Sequence, residues 1–357
     1  MTMRIHHWFC SGLLLVTGAT AATVTLDGPR LGMLFDPQTR ALHPILGIPG
    51  SAVVGRALEL GITVEKAAIS PGQDFVLVTA GDRREVVMLR TGRGPIAPVA
   101  IEGADPAPNE IILSAGGRAA LLYHRALNRL QVITGMPSGP RISAQLYLSA
   151  GEAPSAFAVS DDGRVVLAGI GGSLKMITAN GEVPVLPGIG KITAIAFGKR
   201  SAAPVVDEVR GEVHRTRPGP AVPASASFGY VALAADALHD RLFLVRNVTG
   251  DVDAEVIGTS AEGIASPVAL AVSRDNGRVF VANAKSGTVA IFDLLRGGRS
   301  HSLISCGCSP TGLDRLNGDV FRLTAPSSRP LWVLEADGRE PRVVFVPADL
   351  PERNNAK

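Results

Sequence analysis

Pro267-Val-Ala-Leu-Ala-Val-Ser273-Arg-Asp-Asn-Gly-Arg278-Val-Phe-Val-Ala-Asn283-Ala-Lys-Ser-Gly287-Thr-Val-Ala-Ile-Phe-Asp293 holds three apolar runs separated by two short polar breaks. Each run has strand length and β-branched content. Each break carries Asn, Asp or Gly, which tolerate the backbone angles of tight turns. The segment predicts three consecutive antiparallel strands, and Ser302-Leu303-Ile304 adds a fourth.

The same frame recurs along the chain. Pro108 stands six residues before Ser114-Ala-Gly-Gly-Arg118, Pro154 six before Ser160-Asp-Asp-Gly-Arg164, and an earlier copy ends at Ser70-Pro-Gly-Gln-Asp74. The serines are separated by 44, 46 and then 113 residues. The long interval equals three periods of about 38 and predicts two degenerate copies within it. One is Ile192 to Phe197 before Gly198-Lys199-Arg200, continued by Val205-Val206 and Glu212-Val213-His214. The other is Val231 to Ala235 before Asp236-Ala-Leu-His-Asp240. A last copy opens at Pro310-Thr-Gly-Leu313 and turns at Asn317-Gly318.

Four strands per repeat of about 40 residues describe the blade of a β-propeller. An isolated blade cannot cover its two apolar faces, so blades stack in a ring. The fold class is therefore all-β, a β-propeller of four-stranded antiparallel blades. Seven repeats between residues 62 and 347 predict seven blades. Eight stay compatible, because Met33-Leu-Phe-Asp36 parallels Ala290-Ile-Phe-Asp293 and Ala41 to Ile48 follows as another strand. This N-terminal piece is expected to pair with C-terminal strands and clasp the ring. The propeller is assigned to 22–347 and a polar tail to 348–357.

With these residues in view, Pro267 to Asp293 resembles the repeat of YVTN-type β-propellers, the surface-layer-like proteins of prokaryotes. Val281-Ala-Asn283 and Gly287-Thr-Val-Ala-Ile291 stand where that family has its signature. The repeats at 108 and 154 match in part. The resemblance implies an exported propeller with a binding or surface role and no fixed catalytic set. WD-repeat and quinoprotein propellers carry a Trp in most blades, whereas Trp332 is the one Trp beyond the first 21 residues. Sialidase-type repeats place an aromatic after the Asp turn, where this chain has Val165-Val166.

The chain has 357 residues, of which 46% are hydrophobic and 19% charged, with 40 glycines and 25 prolines. That composition supports a large core and many turns rather than long helices or disorder. Arg4, the apolar Phe9 to Val16 and the small residues Ala19-Thr20-Ala21 form a signal-peptide pattern, with cleavage expected after Ala21. Cys10 precedes the Leu13-Leu14-Leu15-Val16 run, which does not suit a lipoprotein. The expectation is a soluble periplasmic or extracellular protein, a monomer with no membrane span. Cleavage lowers the formal charge from +3 by the one unit of Arg4. With its charges interspersed, the chain gives no nucleic-acid footprint.

No linear catalytic motif is present, but enzymatic propellers collect single residues from different blades. Loops between second and third strands share one face with the blade-to-blade links. Asp82, His124, Asp207, Glu208, Asn247 and Asn283 are therefore the ligand-binding candidates, expected to converge at the channel mouth. Their oxygens would suit calcium, as in lactonase-like propellers, or a polar ligand; no other cofactor is implied, and the identity of any metal stays open. Cys306-Gly-Cys308 is a disulfide candidate in an oxidising compartment, with free thiols and metal binding as rivals. His43, His124, His214, His239 and His301 fall in different repeats and read as locally bonded or surface residues. Asn247-Val-Thr249 matches a glycosylation sequon that carries little weight in a bacterial-looking chain. The sequence favours a binding or scaffold module for a protein or glycan at the cell envelope. A metal-dependent lactonase-like hydrolase is the alternative.

Overall fold

A strand apolar on both faces must be covered on both, and the second strands of most repeats are of this kind. Every residue of Phe75–Ala80, Ala120–His124 and Val166–Ile170 is buried. These runs lack the alternation of a half-exposed sheet because neighbouring sheets cover both their faces. In the computed structural model, which describes residues 29–91, 96–198, 230–298, 301–326, 330–338 and 340–347, the result is a ring of seven antiparallel sheets. In chain order the blades span 30–54, 64–100, 110–147, 156–186, 192–258, 267–305 and 314–346. Blade 1 has three strands and the others four. Strands within a blade pair in sequence order, the first lying innermost. Seven apolar clusters fill the seven junctions between blades.

The Ser turns join inner to second strands and are structural devices. Ser70, Ser114, Ser160 and Ser273 are all buried. The Oγ of each accepts backbone N–H groups across its own turn: from Asp74 and Phe75, from Arg118 and Ala119, from Val165, and from Arg278. Carboxylates also tie blade to blade at this level. The Gly116 N–H donates to Asp161 at 2.7 Å, and the Arg274 N–H to Asp319 at 2.9 Å.

The seven blades are composed differently from the seven repeats read in the sequence. Ile192–Gly198 pairs antiparallel with Val231–Asp236, Gly198 opposite Val231, so the two supposed degenerate copies are the first and second strands of one blade. A break between these strands, 199–229, imitates a period; Val205-Val206 and Glu212 to His214 lie in it, outside the described residues. The remaining blade comes from the N terminus. Asp36 accepts the Gln38 N–H at 2.9 Å in one turn, and Pro49-Gly50 makes the next, so Arg30–Asp36, Ala41–Ile48 and Ser51–Val54 fold onto one another. The N-terminal segment therefore adds no eighth blade. It is no clasp either, since among the described residues no strand of 30–54 pairs with one of 314–346.

Closure between blades 7 and 1 rests on side chains and isolated hydrogen bonds. Leu31, Leu34, Ile45 and Val54 pack against Leu316, Leu331, Val333 and Val346. The Asn317 N–H donates to the Leu31 carbonyl at 2.8 Å. Gln73, in the turn of blade 2, accepts the Met33 N–H and donates to the Arg315 carbonyl, both at 2.8 Å, and so binds blades 1 and 7 together. Among the described residues no helix is long and apolar enough to cross a membrane.

Gln73→Ala removes both bonds and leaves two backbone groups to find new partners. It is expected to lower unfolding stability by about 1–2 kcal/mol. Gln38→Ala, whose side chain is exposed, should change it by less than about 0.5 kcal/mol. Urea unfolding followed by far-UV circular dichroism measures both, and equal midpoints would contradict the bridging role.

Candidate functional site: the turn-face mouth of the channel

The inner strands enclose a channel cavity of about 500 Å³, with Met33, Ala68, Ile112, Phe157, Ile195 and Leu270 on its wall. At the end where inner strands turn into second strands, a wider cavity of about 750 Å³ opens. The two share Pro71, Ala115, Phe197, Val272 and Arg315, so the channel leads into this mouth. The Ser turns that hold the blades thus also form the rim.

Charge at the rim is unevenly committed. Asp162 accepts from Ser160 Oγ at 2.7 Å, the Arg164 N–H at 3.1 Å and the Tyr230 hydroxyl at 2.5 Å. Partial burial pushes its carboxyl up, but the bonds from Tyr230 and Ser160 outweigh burial and hold it below the ordinary carboxylate value. Asp161 spends one oxygen on Gly116. Arg315 is bound to Asp319 and to the Gly318 and Val272 carbonyls, its guanidinium over the Phe321 ring at 4.7 Å. Two rim arginines are differently placed. Arg118 is exposed and its guanidinium has no partner among the described residues, while Arg274 makes a single long contact, 3.5 Å to Asn317 Oδ1. Among the described residues the mouth therefore offers two available cations, Arg118 and Arg274, above a largely apolar channel.

Of the sequence-derived candidates, Asp82, His124, Asn247 and Asn283 lie at the opposite end of the blades and line neither cavity. Asp82 is exposed in the second hairpin of blade 2. Asn247 is exposed in the equivalent turn of blade 5, in the left-handed region at φ 53°. Asn283 is fully buried: its side chain accepts the Ala265 N–H at 3.0 Å and donates to the Gly263 carbonyl at 3.1 Å. It fastens the link between blades 5 and 6. His124 is 5% exposed, and its Nε2 has no hydrogen-bond partner among the described residues. Asp207 and Glu208 lie outside the described residues, as does His214. Among the described residues no three His, Cys, Asp or Glu side chains are grouped as a metal ion would need.

The other motifs are local. Cys306 and Cys308 form a disulfide, with Cys306 buried in the blade 6–7 cluster and its N–H donating to the Gly287 carbonyl at 2.9 Å. His43 Nδ1 lies 2.9 Å from the Gly55 carbonyl, and His239 Nδ1 lies 2.6 Å from Asp236 Oδ2. His301 is exposed and stacks beside Phe292, ring centroids 5.8 Å apart. Sequence reading passed over the rim arginines because their turns read as purely structural. Arg closes three of the Ser turns, at Arg118, Arg164 and Arg278, but of these only Arg118 lines the mouth, and Arg274, inside its turn, carries no such mark.

No family model and no curated relative matches the chain. Solved structures of similar fold include virginiamycin B lyase from Staphylococcus aureus, 12% identical with a TM-score of 0.50, covering 80% of this chain and 84% of that one. A streptogramin B lyase is 13% identical, TM-score 0.50, covering 86% and 87%. A functionally unknown protein from Desulfotomaculum acetoxidans is 16% identical, TM-score 0.54, covering 89% and 99%. These likenesses show the seven-bladed propeller fold and carry no activity to this chain.

The buried His124 supplies a pH test. Burial lowers its pKa from the ordinary 6.5, with Asp105 opposing and Arg129 adding to the effect. The unfolded chain then takes up a proton near pH 6.5 that the folded chain refuses, so this contribution weakens stability as pH falls below that value. Urea unfolding between pH 7.5 and 5.5 should show declining stability, with a slope of at most about 1.4 kcal/mol per pH unit from this group. His124→Gln should have the shallower slope; a slope equal to that of the unmutated protein would contradict the assignment.

Proposed function

We propose that this chain is an exported binding propeller that seats its ligand in the turn-face mouth of the channel, with Arg118 and Arg274 as anion-recognising groups. The observation that carries this reading is the pairing of two available guanidiniums with a cavity of about 750 Å³, a size typical of ligand sites. Guanidinium groups suit carboxylate, sulfate and phosphate because they donate in a planar fork. Four of the turns at this end are fastened through a buried serine, and preorganised turns reduce the ordering cost of binding. The ligand is a protein or glycan of the cell envelope bearing negative charge. The signal-peptide pattern ending at Ala21 supports export to the periplasm or cell exterior, and the YVTN-type resemblance of Pro267 to Asp293 supports a surface role.

The test is titration calorimetry of the mature protein with anionic oligosaccharides, with and without calcium. Binding should be independent of calcium. The double variant Arg118→Gln, Arg274→Gln should weaken it by at least about tenfold, while Asp82→Asn on the opposite face leaves it unchanged. Binding that requires calcium and is lost in Asp82→Asn, or calcium-dependent turnover of a lactone, would overturn this reading.

A further inference from the structure

The wall of the channel below that mouth is unusual for a wet passage. The inner strands of blades 2 to 6 present apolar residues, with Phe157 and Phe197 beside Ala68, Ile112, Ile195 and Leu270, and the last four are half-buried. The side chains at Ile112, Ile195 and Leu270 also pack against blade-junction clusters, which holds the wall in place. Among the described residues, charge enters the channel from blade 7 alone, and there it is already matched. Arg322 is paired with Asp314 at 2.5 Å, and Arg315 is paired with Asp319. Among the described residues the channel lining keeps no unpaired charge, while at the rim the Arg118 and Arg274 guanidiniums stand alongside Asp161 and Asp162. Charged recognition sits at the mouth and apolar recognition lies deeper.

We propose that the natural ligand is an anionic amphiphile, its head held at Arg118 and Arg274 and its aliphatic chain inserted into the central channel. This rests on the mouth being the binding site and narrows the ligand there to one that carries an acyl or alkyl chain. The channel volume of about 500 Å³ lies in the range of cavities that enclose small ligands. An extended chain fits its geometry because the inner strands of blades 1 to 6 run alongside the cavity with apolar side chains, and the charged groups on the blade 7 side are paired with one another. A compact polar ligand would leave this wall uncovered, and a large folded partner could not enter it.

Single-chain alkyl phosphates of six to fourteen carbons, each below its micelle concentration, test this by titration calorimetry with the mature protein. One site per chain is expected, and Kd should fall about fourfold for each added methylene that reaches the apolar wall. Arg118→Gln with Arg274→Gln should weaken every chain length by a similar factor. Ala68→Trp should block the channel and flatten the dependence on chain length, while short anions still bind the mouth. Ile112→Phe provides a second obstruction should Ala68→Trp fail to fold, and circular dichroism verifies both variants. Short anions that bind through the arginines with no dependence on chain length would overturn the amphiphile and leave the mouth reading standing. Absence of binding at any length would overturn both, and a length dependence unchanged by channel-blocking variants that fold would overturn the placement of the chain.

Discussion

Everything in this molecule depends on covering sheets that are apolar on both faces. The second strands carry unbroken apolar runs, so no blade is stable by itself, and the chain stacks blades until the last meets the first. That final contact is unusual in its means. The N-terminal and C-terminal segments each complete their own blade, and the ring shuts through the cluster built on Leu31, Ile45, Leu331 and Val346, with Gln73 reaching from blade 2 to the backbone of blades 1 and 7. A shared strand would have supplied a ladder of backbone bonds. Here packing and a few directed bonds do that work, which makes the closing junction the place where local opening should begin.

The turn that satisfies the backbone also creates the candidate site. A buried serine ties four of the turns internally, while Asp161 and Asp319 receive backbone N–H groups from the preceding blade. Each of these carboxylates is engaged by the backbone of the neighbouring turn, and the arginines of those donating turns, Arg118 and Arg274, are left facing the mouth. Structural demand on the acidic residues and availability of the basic ones are two sides of one arrangement. Beneath it the channel is apolar because its inner strands are also the inner margins of the blade junctions. Ile112 and Leu270 serve junction and channel together.

Much of the fold was legible because it is written in short periods. Ser70, Ser114, Ser160 and Ser273 mark real turns, and the stretch from Pro267 to Asp293 reads directly as three strands of blade 6. The period failed between Ile192 and Asp236, where a break of about one repeat separates two strands of a single blade, since spacing alone cannot distinguish an insertion from a degenerate copy. The N-terminal blade was misread as a clasp because its third strand, Ser51–Val54, is short and follows a Pro-Gly turn. The site was far less legible. Asn283 looked like a loop ligand but is consumed in fastening a blade link. Arg118 looked like the end of a turn, and its position over the channel follows from ring geometry that no linear pattern contains.

Hydrogen exchange of the mature protein, with and without a saturating anionic ligand, examines the central claim most directly, since it reports which end of the ring is covered. The account predicts added protection in the inner-to-second-strand turns around Gly72, Gly116, Asp161 and Arg274, with the hairpins at Asp82, Asn247 and Asn283 unchanged. Protection confined to those hairpins would contradict it and move the functional face to the other end of the propeller.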